Sequence, residues 1–230
     1  MRAVRTVFLQ MLASMRRDMM LFAAALAPIL AGLFFRCVIP VIEAVLREHF
    51  LMPAILSPYY RLMDILFAML TPAMFCFVSA MVCLEENDEK TAVYLFVTPL
   101  GKTGYLAARF LIPSAAAFLV SVVLLPVFRL TALSPADVVL LAAGGALQGV
   151  LISLLIVTFS SNKLEGMAVA KLSSLMIFGA AVPFFVKGSV VQYIISPLPS
   201  FWMGKGYMLP AFALSAMWIS FLSRRYLRKI

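Results

Sequence analysis

"PADVVLLAAGGALQGVLISLLIVTFS", residues 135–160, decides the fold. After Asp137 no charged residue occurs until Lys163. About 20 apolar residues, rising 1.5 Å each as a helix, cross the roughly 30 Å hydrocarbon core of a bilayer. The stretch therefore reads as a membrane-spanning helix. Asp137 follows Ser134-Pro135 and stands at its start, where an acid favours the helix dipole. Gly145 and Gly149, followed by Ser153, form a stripe of small residues that lets another helix come close. Two readings stand for it: packing within the chain, or contact with a second subunit.

The rest of the chain repeats this character. The 230 residues are 64% hydrophobic and 13% charged, with a mean hydropathy of +1.04. A soluble domain has no place for so much apolar surface. The fold class expected is all-α integral membrane, a single transmembrane domain over 1–230. Its six spans run about 20–41, 58–82, 105–130, 137–160, 167–187 and 207–223. No polar segment is long enough to build a separate core. Residues 1–18 carry Val4, Val7, Phe8, Met11, Leu12 and Met15 at helical spacing, beside Arg2, Arg5, Arg16 and Arg17. That pattern predicts an interfacial amphipathic helix. The same N-terminus lacks a compact apolar core and a small-residue cleavage site, so no cleavable signal peptide is expected. Pro28, Pro72, Pro113, Pro126 and Pro183 fall inside spans, where proline frees a carbonyl and kinks the helix. No inverted repeat relates the two halves.

Lysine and arginine orient the bundle. With the N-terminus inside, thirteen of the 19 basic residues fall on inner segments and six on outer ones. Both termini are therefore expected in the cytoplasm, with the protein multi-pass in the cytoplasmic membrane. The net charge of +9 is accounted for by this bias, and no nucleic-acid partner is expected. The loops 83–104 and 160–166 are then cytoplasmic. Outside lie 42–57 and 188–206. The second, "GSVVQYIISPLPSFWMGKG", is apolar but broken by Pro197, Pro199, Gly204 and Gly206. It is too short for two full spans, and predicts a re-entrant or interfacial pair of short helices. Tyr193 and Trp202 would sit at headgroup depth.

Catalytic chemistry finds little to work with. Cys37, Cys76 and Cys83 show neither metal nor disulfide spacing and read as small hydrophobes in spans. The single His49 cannot build a multi-histidine metal centre. Gly101-Lys102-Thr103 resembles the end of a phosphate loop, but Phe96 stands where the leading glycine is required. No catalytic residue, metal ligand or cofactor is assigned to this chain. Ionisable residues near the outer ends are Arg36, Arg61 and Asp64. Either the arginines snorkel outward with Asp64 paired to one of them, or the group lines an outer gate or substrate path. Gln148, Tyr193 and Trp202 are the other candidates for such a path. For Gln148 and Ser153, hydrogen bonding between helices is an equal alternative.

The distinctive segment is "LEENDEKTAVYLFVTPLGKTGYL", residues 84–106. Four of the ten acids, Glu85, Glu86, Asp88 and Glu89, fall within five positions. Asn87 reads as an N-cap with Asp88 and Glu89 in the first turn. Val93, Phe96 and Val97 recur at i, i+3, i+4, and Pro99 disfavours a helical Thr98. A short helix parallel to the membrane is predicted. Its tip, Tyr94, Leu95 and Phe96, either rests on lipid or enters a groove in a partner.

"RRDMMLFAAALAPILAGLFF", the acidic turn into "TAVYLFVTPLGKTGYLAARF", and "NKLEGMAVAKL" resemble the type-2 ATP-binding-cassette (ABC) exporter permeases. Within them the chain is most similar to the small permeases of drug export, fluoroquinolones included. The resemblance implies an interfacial helix before six spans, a coupling helix in the first cytoplasmic loop, and re-entrant outer helices before the last span. It implies two ATPase subunits that bind ATP and Mg, and a second permease, identical or paralogous. Glu85, Glu86, Asp88, Glu89, Thr91, Tyr94, Leu95, Phe96, Thr98, Pro99 and Leu100 would then form the coupling element. Asn162, Lys163, Glu165 and Gly166 would form a second contact. The substrate would be amphipathic or apolar: a drug, a lipid-like molecule or a peptide. The rival readings are a secondary transporter or channel without an ATPase, and a membrane-embedded lipid enzyme.

Overall fold

The computed structural model describes residues 19–91, 94 and 101–229, and among them every regular element is helical. The expected interfacial helix at 1–18 lies outside the described residues. Helix α1 (Met19–Leu33), a π-turn (Phe34–Val38) and α2 (Ile39–Phe50) follow one another without a break. A 3-10 turn (Ser57–Tyr59) leads into α3 (Tyr60–Asp88). Next come α4 (Gly101–Leu106), a second π-turn (Ala107–Leu111) and α5 (Ile112–Phe128). Helix α6 (Pro135–Phe159) precedes α7 (Lys163–Ser174), which passes through a 3-10 stretch (Leu175–Ala181) into α8 (Val182–Phe185). Two short helices, α9 (Ser189–Ile195) and α10 (Pro199–Gly204), come before α11 (Met208–Lys229).

Among the described residues, five stretches are long and apolar enough to cross a membrane: Leu26–Phe50, Ser57–Asp88, Gly104–Phe128, Pro135–Phe159 and Lys163–Phe185. The last expected span is filled by α11, whose Arg224, Arg225, Arg228 and Lys229 leave it less apolar than those five. Two expected boundaries need correction. Residues 42–50 are not linker: helix continues to Phe50, and Leu51 closes it with a left-handed backbone (φ 51°). Glu43 fixes the turn that follows by accepting from the amides of Ile55 (3.2 Å) and Leu56 (2.6 Å) and from the Ser57 hydroxyl (2.6 Å). The second span runs on to Asp88, so Asn87 is not an N-cap. Glu85, Glu86 and Asp88 lie at a C-terminal helix end, where acids are unfavourable unless something compensates them.

The core is the seam between α3 and α6, the two most buried of the five stretches. Pro72 lacks an amide hydrogen, so the Ala68 carbonyl four residues earlier keeps a free face. Gly145 packs onto that carbonyl, where an added Cβ would lie 2.1 Å from the Ala68 oxygen. Gly149 fits against Pro72 and Cys76, with a Cβ 2.8 Å from the Pro72 oxygen and 3.0 Å from Cys76 Sγ. The small-residue stripe thus serves packing within the chain. On the far side Gly144 admits Met203 of α10, and Gly32 of α1 lies under the Phe128 ring.

Both π-turns carry one signature, Arg-x-x-Ile-Pro: "RCVIP" at 36–40 and "RFLIP" at 109–113. The amides of Ile39 and Ile112 reach back five residues, to Phe34 and Ala107. Each proline withholds the bond that would otherwise close on its arginine's carbonyl. At Arg109 that carbonyl instead accepts from the Ser79 hydroxyl on α3.

Candidate functional site

The acidic end of α3 is a knot of side chains from four helices. Glu86 is half-buried and pairs with Arg109, which is 1% exposed. The guanidinium donates to both carboxylate oxygens, Nε at 3.1 Å. The Tyr105 hydroxyl donates to the same Glu86 Oε2 at 2.8 Å. Cys83 Sγ lies 3.1 Å from the Tyr105 hydroxyl and 3.0 Å from that of Tyr226 on α11. Tyr105's proton is committed to Glu86, so the donor order follows: Tyr226 donates to Cys83, and Cys83 to Tyr105. Cys83 is therefore a link in a polar chain rather than the plain hydrophobe its sequence setting suggests. The π-turn turns Arg109 onto Glu86 and brings Tyr105 alongside, with the guanidinium 5.9 Å from the Tyr105 ring centre.

The remaining acids tie this end to α7. Glu85 pairs with Lys163 at 3.3 Å, and Asp88 accepts the Lys163 amide at 3.0 Å. Asp88 thereby places a negative charge at the N-terminus of α7, which offsets its poor position on α3. Asn162 caps α7 by accepting from the Glu165 amide (2.8 Å), and Glu165 accepts in return from the Ser161 amide (2.7 Å). Gly166 lies under Leu84, where a Cβ would meet Cδ1 at 2.2 Å. Lys229 closes the same end, donating to the carbonyls of Val157 and Thr158 (3.3 and 3.2 Å) and of Ser160 (2.5 Å) at the C-terminus of α6. Withdrawal of its amine from water holds its pKa below the usual lysine value. The two segments expected on the same, cytoplasmic side are thus fastened to each other. Glu89 is exposed, the Thr91 hydroxyl donates to the Glu86 carbonyl (3.2 Å), and Tyr94 is 75% exposed. Leu95, Phe96, Thr98, Pro99 and Leu100 lie outside the described residues.

At the opposite end Asp64 pairs with neither Arg36 nor Arg61 among the described residues. Asp64 is buried and accepts from the amides of Leu130 (2.8 Å) and Thr131 (2.9 Å) and from the Thr131 hydroxyl (2.5 Å). It fastens the loop after α5 to the start of α3, while Arg61 faces outward. The reason is local: the backbone leaves helical geometry at Arg129, and its next amides need an acceptor. Arg36 donates to the Arg129 carbonyl at 3.2 Å. Tyr193 and Trp202 come together in a pocket formed by α9 and α10. Of the six outer-path candidates, these two share a cavity.

Gln148 stands apart. It is fully buried on α6, and neither end of its amide has a hydrogen-bond partner among the described residues. An unsatisfied buried polar group costs about 1–3 kcal/mol. Replacing Gln148 by leucine is expected to raise the thermal midpoint by roughly 2–4 °C for each kcal/mol recovered. Differential scanning of the purified protein reads this. A large fall would mean that the amide has a partner in the assembled protein.

Sequence reasoning passed over Arg109, Tyr105 and Tyr226, which are buried at the centre of the knot. The repeated Arg-x-x-Ile-Pro was the available signal. A family model described as "Fluoroquinolones export permease protein Rv2686c-like" matches residues 11–226. No curated protein and no solved structure matches the chain.

Proposed function

We propose that this chain, which belongs to the Rv2686c-like family of fluoroquinolone export permeases, is the membrane permease subunit of a type-2 ABC exporter, driven by a separate ATPase. The observation that carries the reading is the knot at the acidic end of α3. A force applied to the segment 89–100 is delivered to α3 and α5 through Glu86–Arg109, to α7 through Glu85, Asp88 and Lys163, and to α11 through Cys83–Tyr226. In this reading Glu89, Thr91 and Tyr94, with Leu95, Phe96, Thr98, Pro99 and Leu100, meet the ATPase. Glu85, Glu86, Asp88, Asn162, Lys163, Glu165 and Gly166 hold that handle to the bundle.

Two ATPases, which bind ATP and Mg, and a second permease complete the exporter, and the knotted end faces the cytoplasm with both termini. The substrate is amphipathic or apolar, and the family name points to fluoroquinolones. A secondary transporter needs a buried carboxylate free to load a proton or ion. Asp64, Glu43 and Glu86 each accept two or more bonds from the protein itself.

Co-purification with an ATPase subunit tests the reading, together with drug-stimulated ATP hydrolysis in proteoliposomes. Combined replacement of Tyr94, Leu95 and Phe96 by alanine is expected to weaken assembly at least tenfold. Transport by the chain alone on an ion gradient would overturn the assignment.

A further inference from the structure

The two short helices before α11 enclose a pocket of about 330 Å³, at the low end of the roughly 300–1,000 Å³ of small-molecule sites. Stacking of Phe185 on Tyr59 (4.9 Å between ring centres) places this region at the end of the bundle away from Asp88. Tyr193, Phe201 and Trp202 line the pocket beside Lys187, Lys205 and Gln192, and among the described residues no carboxylate lines it. From Met167 to Ile230 the chain holds no Asp or Glu at all, so neither lysine has an acid nearby in sequence.

The aromatic wall is built. The Trp202 indole donates to the Ser196 carbonyl at 2.7 Å, and the Gln192 amide to the Val186 carbonyl at 2.7 Å. The Lys205 amine stands 4.6 Å from the Phe201 ring centre and 5.7 Å from that of Trp202. Ring faces hold a cation in place without neutralising it. Lys187 is exposed and has no ion pair among the described residues.

We propose that this pocket binds an amphiphile with a planar apolar body and one anionic group, a carboxylate or a phosphate. The body lies against Trp202 and Tyr193, and the anion meets Lys187 and Lys205. A neutral or cationic analogue leaves two ammonium groups unanswered and gains only the apolar contact. Placing the pocket on the outer side of the membrane rests on the export reading. Binding does not, because it needs neither ATP nor a partner.

The full chain in phosphatidylcholine nanodiscs tests this, in a Trp218→Phe background where Trp202 is the remaining tryptophan. Quenching of its emission by 2-naphthoate is expected to saturate. Affinity should fall at least tenfold for 2-naphthamide, and equally for 2-naphthoate with the Lys187→Gln/Lys205→Gln variant. The Lys187→Arg/Lys205→Arg variant should keep it. Equal quenching by acid and amide, or no effect of the glutamines, overturns the proposal. Phosphatidylglycerol that competes only while the lysines are present identifies a lipid headgroup as the anion. Lack of competition identifies a free amphiphile, and either result retains the site. Failure of ATP-driven transport in a protein that still binds 2-naphthoate would count against the export reading alone.

Discussion

Replacing Gly145 by leucine is expected to abolish the folded protein. A Cβ at this position would lie 2.1 Å from the Ala68 oxygen and 2.9 Å from the Ala68 carbon. Those are backbone atoms, which cannot rotate away as a side-chain end does. The two most buried helices would have to separate along the seam that the glycine creates. Overpacking a core costs about 1–3 kcal/mol when side chains can adjust, and more when they cannot. Separating α3 from α6 also opens Met69, Met81, Leu151 and Ile156, all buried there now. Even Gly145→Ala should lower the thermal midpoint markedly. Gly188→Ala is the control, because a Cβ there meets nothing within 4 Å. Size-exclusion profile and thermal midpoint of the detergent-purified variants check the pair. A monodisperse Gly145→Leu protein of unchanged midpoint would show that the seam is not as close as described.

That seam also shows how far the amino acids alone lead. Gly145-x-x-x-Gly149 announces a close helix contact, and Pro72 announces a freed carbonyl. Neither says that one is the seat of the other, because the pairing of two helices 70-odd positions apart is a property of the folded bundle. Helical class, the pair of short helices near the end and the place of Asp137 at a helix start follow from local pattern, and the structure has them. The acids between 85 and 89 mislead for a physical reason. Local rules place acids at helix N-termini, and Asp88 does lie at one, but at that of α7 rather than of a helix beginning beside it. Asp64 fails likewise: Arg61 is a neighbour in sequence, while the amides of Leu130 and Thr131 are its neighbours in space. Arg109 enters the topology count only as one of the thirteen inner-side cations, yet it is buried.

Arg109→Ala is expected to cost about 3–5 kcal/mol, the usual price of removing one member of a buried pair. Glu86 would be left in a half-buried setting without its cation, with the Tyr105 hydroxyl the one remaining side-chain donor to its carboxylate among the described residues. At roughly 2–4 °C per kcal/mol for a chain of this size, the thermal midpoint should fall by about 10 °C. A simultaneous Glu86→Leu/Arg109→Met exchange separates stability from function. Apolar replacement of a whole buried pair is often neutral, so the double variant should recover most of the lost midpoint. It should not recover drug-stimulated ATP hydrolysis, because the link from the segment 89–100 to the start of α5 would be gone. The bond from Ser79 to the Arg109 carbonyl survives both exchanges, since it uses the backbone. Any loss of coupling therefore belongs to the side-chain pair rather than to collapse of the π-turn. Full hydrolysis with a restored midpoint would reduce Glu86–Arg109 to a structural staple and move the coupling path to Glu85, Asp88 and Lys163. The two pairs leave α3 in different directions, toward α5 and toward α7, so variants of each distinguish the routes.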